Sequence, residues 1–231
     1  QLDLIQSLNA HKLKRDGVNP EVRGSIESFD LAFRMQEEIP DLLDMRTESK
    51  SMLDMYGVGV GLDTDRFGRQ CLLARRLAEA GVRFIEVNSP VGWDHHFQLK
   101  DELTDNCAAT DRPMAALLTD LKQRGLLEDT LVIWGGEFGR TPYAQSGTGR
   151  DHNNKGYTMW MAGGGVKAGL RYGETDELGH QAVTDKVHIH DWHATVLHLM
   201  GMDHKRLTFK YAGRDFRLTD VFGNVAHDII A

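Results

Sequence analysis

The apolar positions of this chain change period part of the way along it. Over residues 1–62 they recur at helical spacing with no strand pattern. One helix is predicted over residues 2–14. A second is opened by Asn19-Pro20, a capping residue followed by proline at the first helical position; it runs toward Ile39 and is ended by Pro40. From Phe67 helix and strand patterns alternate. Cys71, Leu72, Leu73, Arg75, Leu77 and Ala78 predict a helix that stops at Gly81, and residues 82–87, rich in β-branched and aromatic types, predict a strand. Met114, Leu117, Leu118 and Leu121 mark the next helix, which ends at Gly125. Thr130-Leu131-Val132-Ile133-Trp134 is a near-continuous apolar run of strand length, the pattern of a strand buried on both faces of a parallel sheet. Tyr157-Thr158-Met159-Trp160-Met161 is a third strand candidate, closed by Gly163-Gly164-Gly165. A helix from Asp191 through Leu199, capped by Asp191, ends at Gly201, and the tail over residues 219–230 closes the domain.

These elements predict an α/β fold with a mostly parallel sheet flanked by helices. A single domain spans residues 1–231, mainly helical over 1–62 and a metal-binding α/β core over 63–231. Gly57-Val58-Gly59-Val60-Gly61 lacks the preceding strand and the third glycine of a dinucleotide fingerprint and reads as a loop. A formal charge of −7, with no Lys/Arg block, gives no case for a nucleic-acid or anionic-membrane partner. Two cysteines, both in helical patterns, exclude a disulfide-stapled scaffold. No apolar run approaches the roughly 20 residues that cross a bilayer. The opening Gln1-Leu2-Asp3-Leu4 is neither a signal peptide nor an initiator start, so the chain reads as the carboxy-terminal part of a longer protein.

Ligands of open α/β sheets bind beyond the carboxyl ends of the strands, and the chemically informative residues fall there. Gly92-Trp93-Asp94-His95-His96 follows the first predicted strand, Gly135-Gly136-Glu137-Phe138-Gly139-Arg140 follows the second, and a further loop holds Gly149-Arg150-Asp151-His152. Carboxylate with imidazole and no thiolate suits Zn²⁺, Mn²⁺, Fe or Mg²⁺ rather than a structural thiolate zinc site. Asp94 and His96, one residue apart, are close enough for both side chains to face one ion. His152 is a third candidate ligand. Glu137 is a fourth, or else the cap of the turn that follows it. Asp151 is equally an orienting acceptor for His152 or Arg150. In His188-Ile189-His190-Asp191-Trp192-His193 the favoured reading is a helix start, with His188 or His190 lining the site.

The stretch from Gly92 onward is similar to bacterial proteins grouped as domain of unknown function 1501, sulfatase-like members of the alkaline phosphatase superfamily. The resemblance covers most of the chain from about Phe67. It rests on Trp93-Asp94-His95-His96, Gly136-Glu137-Phe138-Gly139-Arg140-Thr141-Pro142, Gly149-Arg150-Asp151-His152, Ala162-Gly163-Gly164-Gly165 and Asp191-Trp192-His193-Ala194-Thr195. It implies a hydrolase of phosphate or sulfate esters acting on a small molecule or glycan, exported or periplasmic, with a divalent Zn, Mn, Mg or Ca ion. Asp94, His96 and His152 look like the ligands of one ion, with Glu137 as a further ligand or base. Arg140 would supply positive charge near a bound anion. His95, Asp151, Arg150 and His190 would stand next to the ligands rather than on the ion.

Two departures from the superfamily matter. Its second metal takes an adjacent Asp-His pair where this chain has Glu137-Phe138, and phenylalanine cannot ligate. Its nucleophile lies on an early strand, and no such segment precedes Gly92. Neither Cys71-Leu72-Leu73-Ala74-Arg75 nor Cys107-Ala108-Ala109-Thr110-Asp111 fits a formylglycine site. The rival expectations are a non-catalytic binding or scaffold domain that has lost the nucleophile, and a mononuclear iron enzyme built on two His and one carboxylate.

Overall fold

A computed structural model describes residues 2–16, 20–144 and 147–231, and the chain divides into two compact units, Gln1–Ser49 and Lys50–Ala231. The first unit consists of α1 (Leu2–Asp16), α2 (Pro20–Leu43) and a short 3-10 turn at Met45–Thr47. The start of α2 at Pro20 agrees with the pattern, while its expected cap, Asn19, lies outside the described residues. Pro40 does not end this helix, which continues to Leu43. The proline ring fixes a helical φ and removes one donor, so close to the carboxyl end a last turn persists beyond it.

In the second unit α3 (Lys50–Met55) leads to two long helices, α4 (Leu62–Glu79) and α5 (Leu99–Gln123), which pack on each other. Phe67, Cys71, Leu72 and Ala74 of α4 meet Ala109, Ala116 and Leu121 of α5, together with the fully buried Tyr56. Gly68 permits the approach of the preceding loop: a Cβ there would lie 2.2 Å from the Tyr56 carbonyl oxygen. A buried polar network crosses the helix pair. Asp120, 1% exposed, accepts the Tyr56 hydroxyl at 3.0 Å and Arg124 Nε at 2.7 Å, and it is ion-paired with Arg75 Nε at 2.8 Å. Both helices stop as the glycines predict, with Gly81 and Gly125 at φ of 85° and 69°.

The strands correct the expected sheet. Among the described residues eight short strands form four separate antiparallel pairs and no parallel core: β1 (Val132–Trp134) with β4 (Trp160–Ala162), β2 (Gly139–Arg140) with β3 (His152–Asn153), β5 (Glu174–Thr175) with β6 (Ala182–Thr184), and β7 (Thr208–Tyr211) with β8 (Arg214–Arg217). The apolar run ending at Trp134 signals a strand but not its direction. Its partner is the third strand candidate, with Trp134 opposite Trp160 and their rings stacked at 6.3 Å. Residues 82–87 form no ladder among the described residues, and Phe84 is 77% exposed. High β-propensity alone does not make a strand without a paired neighbour.

The last helix, α6 (Ile189–Leu199), is capped by His188 and not by Asp191. The His188 ring accepts the His190 N–H, and Asp191, three residues in, accepts the His188 N–H at 3.1 Å. The other Asp191 oxygen accepts the Asn224 N–H at 2.7 Å, tying the carboxyl-terminal tail to the helix start. Among the described residues no helix is long and apolar enough to cross a membrane.

Candidate metal centre

Two loops and one two-residue ladder build the site. In the loop before α5, Asp94 and His96 are one residue apart and face the same way, while His95 between them turns into the protein. His95 is 4% exposed and is held at 3.0 Å by Asn106 of α5, with Trp93 edge-on at 6.2 Å. The second loop lies directly along this one. The His95 carbonyl accepts the Arg150 N–H at 3.0 Å, and Thr148 Oγ1 accepts the Gln98 N–H at 3.0 Å. Gly149 is required by the contact, because a Cβ there would fall 1.9 Å from the His96 carbonyl.

The β2–β3 ladder then sets which side chains face the cluster. Arg140 is paired with His152, and Gly139 with Asn153. Directly opposed residues point to the same side of a ladder, so Arg140 and His152 share a face. Carried back along the chain, the alternation puts Phe138 on that face too: its ring stacks on His152 at 4.0 Å, and Arg140 lies 5.8 Å from its centroid. Glu137 lies at a bend ahead of this strand. Glu137 is exposed and does not belong to the convergent group, which consists of Asp94, His96 and His152.

In that group His152 Nε2 lies 2.8 Å from Asp94 Oδ1, His96 Nε2 lies 3.2 Å from the same oxygen, and the two Nε2 atoms are 3.2 Å apart. A first-row ion bound at about 2.0–2.2 Å separates its ligand atoms by about 2.8–3.1 Å at octahedral and about 3.3–3.6 Å at tetrahedral angles, and the sides of this triangle fall within that span. Two imidazole nitrogens and a carboxylate oxygen, all able to offer lone pairs, gather around one point. The donor set therefore fits a divalent cation.

The electrostatics agree with that arrangement. Hydrogen bonds from His152 and then Arg140 hold the Asp94 carboxyl down at about 2 against desolvation, with a lesser contribution from the charges of His96 and Arg140. The carboxylate is thus ionised throughout the neutral range. Asp151 Oδ1 stands 3.5 Å from His96 Nδ1, where it can orient that ring.

Arg140 lies beside the cluster. Its guanidinium donates to Asp94 Oδ1 at 2.7 Å, to the Trp93 carbonyl at 2.7 Å and to the Arg150 carbonyl at 3.3 Å. It is a clamp joining the two ligand loops. The Arg150 side chain bonds its neighbouring Gly149 carbonyl at 2.8 Å. His190 stands with His188, their Nδ1 atoms 3.1 Å apart, and stacks on Phe222; it is not in the Asp94 group. Phe138 and Gly149 are the structural residues of the site whose roles, as a stacking surface and a point of close approach, appear only in three dimensions.

The fold and site together define a mixed helix-and-strand protein with a convergent imidazole–carboxylate cluster. A family described as protein of unknown function (DUF1501) matches residues 1–230, and the chain belongs to that family. No curated protein and no solved structure matches it.

Proposed function

We propose that this chain forms the metal-binding part of a divalent-metal-dependent hydrolase of phosphate or sulfate esters, of the sulfatase-like kind in the alkaline phosphatase superfamily. The observation that carries the reading is the triangle of Asp94 Oδ1, His96 Nε2 and His152 Nε2, with separations of 2.8, 3.2 and 3.2 Å. Two imidazoles with one carboxylate favour Zn or Mn over Mg or Ca. A bound divalent ion supplies Lewis-acid polarisation of an ester oxygen and stabilisation of the negative charge that develops on it.

The chain's own residues prepare that chemistry. Asp94, His96 and His152 hold the ion. Arg140 fixes the Asp94 oxygen and ties the two loops together, and the Asp151 carboxylate beside His96 Nδ1 favours the tautomer whose Nε2 is free to ligate. Phe138 covers one face of the His152 ring and keeps water from it. The substrate class is a small-molecule or glycan ester.

A second reading, a metal- or ligand-binding scaffold without catalysis, is favoured by two specific observations. Phe138 stands where the superfamily has a second-metal ligand. Among the described residues no Ser, Thr or Cys side chain is hydrogen-bonded to Asp94, His96 or His152.

The test is elemental analysis of the purified chain and of Asp94→Ala after exposure to Zn²⁺ or Mn²⁺, with turnover of p-nitrophenyl phosphate and sulfate measured in parallel. The proposal expects near-stoichiometric metal that is lost in the variant, and ester turnover abolished by chelation. Metal without turnover supports the scaffold reading. A parent chain that takes up no metal refutes the hydrolase reading and the metal-binding form of the scaffold reading.

A further inference from the structure

Arg140 and Pro142 flank Thr141, which is 7% exposed and, among the described residues, hydrogen-bonds to none of the three candidate ligand side chains. It stands one residue beyond the β2–β3 ladder. Half of the next rung is ordinary: the Thr141 N–H donates to the Asp151 carbonyl at 2.9 Å. The other half runs through a side chain, because the Asp151 N–H donates at 3.1 Å to the Thr141 hydroxyl. That hydroxyl gives its own proton to the Tyr143 carbonyl, so it faces the Asp151 amide with a lone pair.

Asp151 is where this bond reaches the metal centre. Its Oδ1 stands 3.5 Å from His96 Nδ1, on the side of the ring away from the ligating Nε2. Among the described residues no hydrogen bond is made to the Asp151 carboxylate itself. The place of that carboxylate therefore depends on the main chain that carries it, and both the N–H and the C=O of Asp151 go to Thr141. A group that orients a metal ligand does so only as firmly as it is held.

The residue type at position 141 decides whether the rung closes. Valine has the shape of threonine without the hydroxyl, so it would leave the Asp151 N–H without an acceptor and hold that residue from one side only. Serine would keep the bond. The threonine of the Arg140-Thr141-Pro142 run is thus joined to His96 by two contacts, one from hydroxyl to amide and one from carboxylate to ring.

We infer that Thr141 is a positioning residue of the metal centre, which acts through Asp151 on the His96 ring and keeps His96 Nε2 free for a divalent cation. The inference rests on the metal-binding reading of Asp94, His96 and His152, but its first readout needs no metal.

Long-range ¹H–¹⁵N NMR of the metal-free 231-residue chain reports which ring nitrogen of His96 carries the proton. In the parent it should be Nδ1, beside Asp151. Thr141→Val should give a mixture of the two tautomers at His96 and leave the ring of the buried His204 unchanged, which also shows that the variant is folded. Thr141→Ser should restore the parent pattern. Calorimetric titration with Zn²⁺ should then show Thr141→Val binding roughly 3- to 10-fold more weakly, at or below the loss seen when a residue that touches a metal ligand is removed. In an Asp151→Ala background the same change should cost nothing further, because the two residues lie on one path. A parent-like His96 tautomer in folded Thr141→Val, no restoration by serine, or additive losses in the double variant would overturn the inference. Should Thr141→Val not fold, Asp151→Asn must still move the His96 proton, and an unmoved proton there overturns it as well. The expected tautomer changes in a chain that takes up no metal would refute the metal reading of the site and leave the path from Thr141 to His96 standing; metal uptake with an unmoved His96 would do the reverse.

Discussion

Exchanging Arg140 for lysine separates the two things that residue does. Lysine keeps the positive charge beside Asp94, so the electrostatic effect on a bound cation stays nearly constant, but it replaces a planar fork by a single nitrogen. The guanidinium serves three acceptors on two loops, at 2.7, 2.7 and 3.3 Å. An ammonium can keep the Asp94 contact and loses at least one of the carbonyls. Each lost hydrogen bond is worth about 1 kcal/mol net. Asp94 is two-thirds exposed, so its ion pair with Arg140 is screened and adds little beyond this. One to two lost bonds then predict a fall in metal affinity of about 5- to 30-fold, at a factor of ten per 1.4 kcal/mol, which overlaps the loss seen when residues that orient metal ligands are removed. Isothermal titration of Zn²⁺ or Mn²⁺ into metal-free parent and Arg140→Lys measures it. Amide hydrogen exchange at Arg150, whose N–H donates to the His95 carbonyl, needs no metal and should speed up in the same variant. Arg140→Gln removes the charge as well, and relief of cation repulsion should make its loss the smaller of the two. Parent-like affinity together with parent-like exchange in Arg140→Lys would refute the clamp.

The helix pair that supports the site has its own test. Asp120→Ala leaves Arg75 and the Tyr56 hydroxyl without their buried partner and should cost about 3–5 kcal/mol in urea unfolding, whereas Glu79→Ala, at a position 45% exposed, should cost no more than about 1 kcal/mol; equal costs would contradict the assignment of the network. Burial pushes the Cys71 thiol up to about 12, and Cys107 is exposed. Iodoacetamide at pH 8 should therefore label the native chain once, at Cys107, and twice only after denaturation; mass spectrometry of the labelled peptides decides it.

The grouping of Asp94, His96 and His152 was readable in the sequence, because two residues one apart in an extended loop face the same way and a single further histidine completes the set. Glu137 lies outside that group. Which side chains of β2 face the group depends on which residue of β3 lies opposite Arg140, and no local pattern states that. Helix ends at Gly81 and Gly125 were legible because a left-handed residue after a helix needs glycine. Sheet direction was not, since β1 reads the same whether its neighbour runs parallel or antiparallel. The β7–β8 hairpin went unpredicted although Ala212-Gly213, both at positive φ, mark its turn. Alanine is a poor advertisement for that conformation.

The ladder of Gly139 with Asn153 and Arg140 with His152 has only two rungs, yet it works as a two-position selector. Moved by one residue, it would present glycine and asparagine to Asp94 and withdraw the clamp and one imidazole together. Gly139 guards against this, because its α-carbon is packed so closely on Tyr157 that any larger residue there would meet that side chain. The consequence is a rule for change within the family: a single-residue insertion between Glu137 and Arg140 should erase the centre at a stroke, while substitutions that respect the parity should weaken it only by degrees.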